Sequence, residues 1–131
     1  MNTKYTVKEW FGATRYWSFP VSSMPVVATT AFLAWKDCDI NWLCAALALV
    51  GIVLFHAAGN LLSDWWDYRK GVDNEQAYAI PNLVFHHFEP KEYLAFSAVL
   101  FAVGIAVGLV LPALIVSHAL WDALVFVILP I

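Results

Sequence analysis

Residues 42–62 read WLCAALALVGIVLFHAAGNLL and run directly into SDWWDYRKGVD, residues 63–73. The first stretch holds no Lys, Arg, Asp or Glu, and its length and its Ala, Leu and Val content fit a helix crossing a hydrocarbon core of about 30 Å. The second is dense in carboxylates, cations and aromatic rings. An apolar helix that empties into two closely spaced aspartates sets the fold class: an all-α membrane bundle with a polar site at one membrane face.

The rest of the chain agrees. Hydrophobic residues make up 62% of it and charged residues 13%, a balance that a water-soluble core of this size could not hide. Apolar segments run from about Trp17 to Trp35, Trp42 to Leu62, Lys91 to Leu111, and Ala113 to Ile131, so about four transmembrane helices are expected. Pro20 and Pro25 predict a kinked or re-entrant start to the first. Gly104 and Gly108 form a GxxxG, a pattern that lets membrane helices pack closely. Residues 63–90 are expected to form an Asp-rich loop, with Pro81 and Pro90 as breakers. The last segment reaches Ile131 without a cap or closing polar residues and reads as cut off, so 1–131 is taken as one membrane domain of a longer bundle.

Charge and aromatics orient the bundle. Lys4, Lys8, Arg15, Arg69, Lys70 and Lys91 fall on one side of these spans and Lys36 on the other, which predicts a cytoplasmic N-terminus and Asp-rich loop, in a cell inner membrane. Trp17, Trp35, Trp42 and Tyr93 lie near helix ends, where amphipathic rings favour the headgroup region. Residues 1–16 lack the pattern of a cleaved signal peptide. No run of like charge supports nucleic-acid binding at a net charge of −3. Cys38 and Cys44 match neither a disulfide framework nor a metal-ligand spacing.

At about 100° per residue, His56, Asn60, Asp64, Asp67 and Gly71 share one helical stripe. Two carboxylates a turn apart at membrane depth repel one another, so they face a cavity, a partner or a cation. Oxygen ligands at this spacing suit Mg²⁺, which keeps several waters and is completed by substrate phosphates. Spacing alone leaves a second reading equally open: Asp64 and Asp67 end a helix at the interface, beside Arg69 and Lys70 obeying the positive-inside rule. His86 and His87 read as loop histidines, and Glu75 and Glu89 as solvated loop charges. His118 and Asp122, four residues apart, read as a structural pair between helices.

The string NLLSDWWDYRKGVD, residues 60–73, resembles the first Asp-rich motif of the UbiA superfamily of intramembrane prenyltransferases, in the form NLxxDxxDxxKGxD of its MenA-like branch. RYWSFPVSSMPV, residues 15–26, is similar to the RPxSFPAS-xxP-V opening of those enzymes, and the two matches stand in the family's order. The resemblance implies Mg²⁺-dependent transfer of a polyprenyl group from its diphosphate to an aromatic quinone precursor such as dihydroxynaphthoate, for menaquinone. It implies Asp64 and Asp67 as catalytic residues, with Asn60, Asp64, Asp67 and Asp73 holding Mg²⁺ and diphosphate. Arg69 and Lys70 would hold phosphate oxygens.

The chain departs from that pattern in three ways. Ser63 stands where the family usually has Asn, residues 74–90 lack the expected Arg- and Gly-containing run, and the second Asp-rich motif is missing. A half-site of this kind is expected to need a C-terminal half or another subunit for turnover. The rival readings are a non-catalytic membrane protein, either a truncated paralogue or a subunit that packs with a partner such as a second copy in a homo-oligomer, and a small ion or solute transporter half. The transporter fits less well because the carboxylates gather at one helix end and not at the midplane. A lipid phosphotransferase lacks its DGxxAR run.

Overall fold

The structure is a computed structural model and describes residues 5–72, 83 and 88–128. Among these residues it is all helical: α1 (Val7–Ala13), a 3₁₀ turn (Tyr16–Ser18), α2 (Phe19–Trp35), α3 (Trp42–Lys70) and α4 (Pro90–Ile128). The expected all-α bundle is what forms.

Local chemistry sets the boundaries. The sequence Thr6-Val7-Lys8-Glu9 is a capping box: the Thr6 hydroxyl accepts from Glu9 N at 3.3 Å, and the Glu9 carboxylate accepts from Thr6 N at 2.6 Å. Pro20 falls in the first turn of α2, where its missing N–H costs nothing, and Pro25 lies inside the helix. Asn41 caps α3 by accepting from Cys44 N at 3.1 Å.

The far end of α3 corrects the expected loop over residues 63–90. The helix does not stop at Leu62 but continues through Lys70, so Asp64 and Asp67 project from a rigid helix. Nothing at Ser63 ends a helix, whereas Gly71 adopts φ 72°. Val72 N then reaches Asp67 O and Gly71 N reaches Tyr68 O, the paired closing bonds of a left-handed glycine cap.

The third and fourth apolar segments also differ from expectation, because they form the single helix α4 with Pro112 inside it. One proline removes one backbone bond, and neither a glycine nor a polar cluster accompanies it to supply a turn. At 1.5 Å per residue α4 is about 58 Å long, so only part of it fits one hydrocarbon layer. Two helices, Trp42–Lys70 and the Pro90–Asp122 part of α4, are long and apolar enough to cross a membrane.

α2 and α4 both run antiparallel to α3. Along α4, Val107 meets Gly51, Phe101 and Gly104 meet Phe55, and Ser97 donates to Ala58 O at 2.9 Å. Gly104 lets the Phe55 ring lie against the α4 backbone, since a Cβ there would come within 3.2 Å of it. Gly108 makes no such approach, so only half of the GxxxG is used for packing among the described residues.

Buried side chains gather at one end, where Ala13, Leu61, Leu83, Phe88 and Tyr93 pack with Trp10, Trp65 and Phe96. Elsewhere large apolar residues stay exposed, among them Val21, Phe32, Val103, Leu109 and Leu120. That exposure makes sense when lipid is the solvent. Trp17, Trp35 and Trp42 are exposed as interfacial rings should be, but Tyr93 is fully buried. It belongs to the polar end of the core, not to the headgroup region that its place near a helix end predicts.

The use of Gly104 and not Gly108 predicts an asymmetry. Gly104→Val should overpack the Phe55 contact and cost about 1–3 kcal/mol, seen as a lower thermal midpoint in detergent, while Gly108→Val should leave that midpoint nearly unchanged.

Candidate functional site

The buried end of the bundle is organised around one carboxylate. Asp64, on α3, is only 4% exposed, and a charge so placed must be paired. Its Oδ1 accepts from Arg15 Nη2 in an ion pair, and its Oδ2 accepts from the Tyr93 hydroxyl at 3.1 Å. Three separate parts of the chain therefore meet at this side chain.

Each partner is delivered by local structure. Arg15 follows α1 and has φ 55° and ψ 51°, a left-handed conformation that a non-glycine residue adopts only under constraint. That reversal turns the chain from α1 into the 3₁₀ turn. The Arg15 carbonyl accepts from Ser18 N and Ser18 Oγ, both at 2.8 Å. Tyr93 stands in the first turn of α4, walled by Trp10 and Phe88. Its hydroxyl also lies 3.4 Å from Ala13 O.

Asn60 lies one turn before Asp64. Its amide nitrogen donates to Thr14 O at 2.9 Å and to Ser18 Oγ at 3.1 Å, which uses both hydrogens and leaves Oδ1 for a ligand. Asp67, one turn after Asp64, is half-buried, and its carboxylate forms no hydrogen bond or ion pair among the described residues.

Arg69 and Lys70 each pack against an aromatic ring of their own helix. Arg69 lies over the Trp65 ring at 5.3 Å and Lys70 over the Trp66 ring at 5.1 Å, each a cation–π contact between residues four apart. Arg69 projects about 140° around the helix from Asp64. Among the described residues, Arg15 is a cation that reaches Asp64.

Asp73, Glu75, His86 and His87 lie outside the described residues, as does the side chain of His118. Asp122 is exposed on α4.

The oxygen donors present fit a small hard cation in kind. Among the described residues no three His, Cys, Asp or Glu side chains converge as a metal cage, but Mg²⁺ needs only one or two carboxylates when waters and substrate phosphates complete its shell. Among the described residues Asp67 has an open carboxylate and Asn60 an open amide oxygen, one turn on either side of the Asp64 carboxylate. Arg15 Nε is buried with no acceptor among the described residues, a donor that an anion beside the metal would satisfy.

In the sequence Arg15 stands only as the opening of the upstream match and Tyr93 only as an interfacial ring, with no pattern that marks either as a site residue. The only signal for them is indirect: an aspartate at membrane depth requires a cation and donors from elsewhere in the chain.

These features define a membrane-embedded helix bundle with an acidic, arginine-tied head. The chain belongs to the UbiA prenyltransferase family, whose family model matches residues 23–129. It is similar to the UbiA prenyltransferase domain-containing protein 1 of Xenopus tropicalis, 32% identical over 92 residues that cover 70% of this chain and 26% of that protein. The protein of the same name from Danio rerio is 32% identical over 92 residues, 70% of this chain and 27% of its own length. That from Mus musculus is 33% identical over 95 residues, again 70% and 27%. The chain thus spans about a quarter of the length of the curated relatives it matches. No solved structure matches it.

The partners of Asp64 should rank unequally. Arg15→Ala strands a buried carboxylate and should approach the loss of about 3–5 kcal/mol seen for broken buried pairs. Tyr93→Phe removes one hydrogen bond to a charged group and should cost about 1.5–3 kcal/mol. Thermal unfolding of the detergent-solubilised chain checks that order.

Proposed function

We propose that this chain carries the diphosphate-gripping part of a membrane prenyltransferase, which transfers a polyprenyl group from polyprenyl diphosphate to an aromatic quinone precursor. Dihydroxynaphthoate, on the way to menaquinone, is the proposed acceptor. The observation that carries the reading is the head of α3, where the open Asp67 carboxylate stands one turn from an Asp64 already held by Arg15 and Tyr93. Membership of the family, shown by the match over residues 23–129, supplies the reaction class.

The chemistry asks for positive charge at the diphosphate and an apolar path for the prenyl tail. A diphosphate needs cations, and Mg²⁺ would neutralise it as a leaving group. Asp64, Asp67, Asn60 through Oδ1, and Asp73 are the proposed ligands. Arg15 offers its unsatisfied Nε–H to a phosphate oxygen, and Arg69 and Lys70 add positive charge at the end of the same helix. The prenyl tail needs an apolar path, and a cavity of about 260 Å³ beside Thr14 is lined by Trp10, Phe11, Phe19, Leu54, Phe96 and Leu100. Such aromatic walls suit an allylic carbocation as well as a hydrocarbon chain.

The proposed setting of the head is the cytoplasmic face of a cell inner membrane, a reading that the distribution of basic residues supports. Lys8, Arg15, Arg69, Lys70 and Lys91 lie at that end, and Lys36 closes α2 at the other. A site built on one Asp-rich motif is proposed to grip diphosphate without completing turnover, which a further segment or subunit would supply. A non-catalytic membrane subunit is the second reading, favoured by the internal pairing of Asp64.

The test is transfer of a labelled polyprenyl diphosphate to dihydroxynaphthoate in membranes, with and without Mg²⁺. It compares this chain, any longer reading frame that contains it, and Asp67→Ala in each. Mg²⁺-dependent transfer lost by at least about 100-fold in Asp67→Ala is the expected result. Membranes with well-inserted protein and no transfer in any form would move the weight to the non-catalytic reading.

A further inference from the structure

His56 stands in α3 one turn before Asn60, at a depth where a polar ring must find its partners within the protein. It finds two, Ser18 at the end of the 3₁₀ turn and Ser22 in the first turn of α2. Nε2 lies 3.0 Å from Ser18 Oγ and Nδ1 lies 2.7 Å from Ser22 Oγ. Phe19, between the two serines in sequence, meets the imidazole edge to face at 5.8 Å. The ring is a strut between two helices with both nitrogens engaged.

Counting hydrogens shows how firmly it is held. A neutral imidazole has one donor and one acceptor, and each serine has one hydrogen to give. Ser18 Oγ has an alternative acceptor in Arg15 O at 2.8 Å, and Ser22 Oγ has one in Phe19 O at 3.2 Å. If Nε2 carries the proton, it donates to Ser18, Ser18 donates to Arg15 O, and Ser22 donates to Nδ1. If Nδ1 carries it, Ser22 turns to Phe19 O and Ser18 donates to Nε2. Either tautomer leaves every hydrogen paired, so the strut holds in both.

Ser18 is where the strut reaches the site. It accepts from Asn60 Nδ2 at 3.1 Å, while the other Asn60 amide hydrogen goes to Thr14 O at 2.9 Å. With both hydrogens tied in this direction, the amide cannot turn over without setting oxygen against oxygen at Thr14. Asn60 Oδ1 is thereby held on the opposite side. Ser18 also bonds the Arg15 carbonyl through its backbone N–H and braces the left-handed residue whose guanidinium meets Asp64.

We propose, resting on the prenyl-transfer reading, that His56 is a positioning residue. It locks Ser18, and through Ser18 it fixes the Asn60 amide oxygen and the Arg15 side chain in the orientation that receives a metal-bound diphosphate.

Two substitutions separate this role from simple packing. His56→Phe keeps a ring against Phe19 and leaves both serines their backbone acceptors, so the fold is retained. His56→Gln loses the ring but restores a donor and an acceptor in one planar group.

Exchange of the Asn60 side-chain amide protons is followed by NMR on the full chain in detergent. Binding of Mg²⁺ with a non-reactive geranylgeranyl thiolodiphosphate is measured in parallel. The expected result is exchange about tenfold faster in His56→Phe and near wild type in His56→Gln, with binding weakened about fivefold in the first only.

A tolerated Phe with a damaging Gln, or Asn60 exchange equal in all three proteins, overturns the proposal. Failure of the wild-type chain to bind Mg²⁺ and the analogue contradicts the prenyl-transfer reading itself, and the exchange rates then still decide whether His56 sets Asn60.

Discussion

A carboxylate at the head of an apolar helix has to be neutralised by something, and in this protein that requirement shapes everything around it. Asp64 draws Arg15 from before α2 and Tyr93 from the start of α4. Bringing Arg15 there forces a left-handed residue into the chain, and bringing Tyr93 there packs Trp10, Phe88 and Phe96 over the end of the bundle. An apolar group in place of the ion pair would hold helices together as well or better.

The two ends of the bundle are built on different physics. At the head, polar groups are cross-linked by hydrogen bonds: Asn60 to Thr14 and Ser18, His56 to Ser18 and Ser22, and Ser97 to Ala58. Away from it, α2 and α4 expose Val, Leu, Ile and Phe to what must be lipid, and the helices meet through small residues such as Gly51 and Gly104. Lipid gives no hydrophobic drive for helices to associate. The order of the site therefore rests on the polar head and its aromatic cover.

How much of this was legible in the sequence follows from which interactions are local. The spans of α2 and α3 were readable because composition and length fix them, and the stripe of His56, Asn60, Asp64 and Asp67 was readable from helical periodicity. Hydropathy and helical periodicity disagree over residues 63–70, where charged and aromatic residues look like a loop, and the helix in fact runs to the Gly71 cap. The boundary between the spans that end at Leu111 and begin at Ala113 is not a helix end, because the long apolar run on either side of Pro112 carries the helix through it. The pairing of Asp64 with Arg15, 49 residues away, has no local pattern at all. For the same reason Tyr93 looked interfacial, since its sequence neighbours place it near a helix end and say nothing of the carboxylate above it.

The most direct test of the account is a double-mutant cycle on the chain in detergent, using Arg15→Met, Asp64→Asn and the pair together, with unfolding free energy as the readout. If Asp64 and Arg15 organise the head as described, the double mutant should lose less than the sum of the single losses, by a coupling of about 1–3 kcal/mol. Additive losses would mean that the two side chains do not support one another, and would contradict the ion pair as the centre of the fold and of the site.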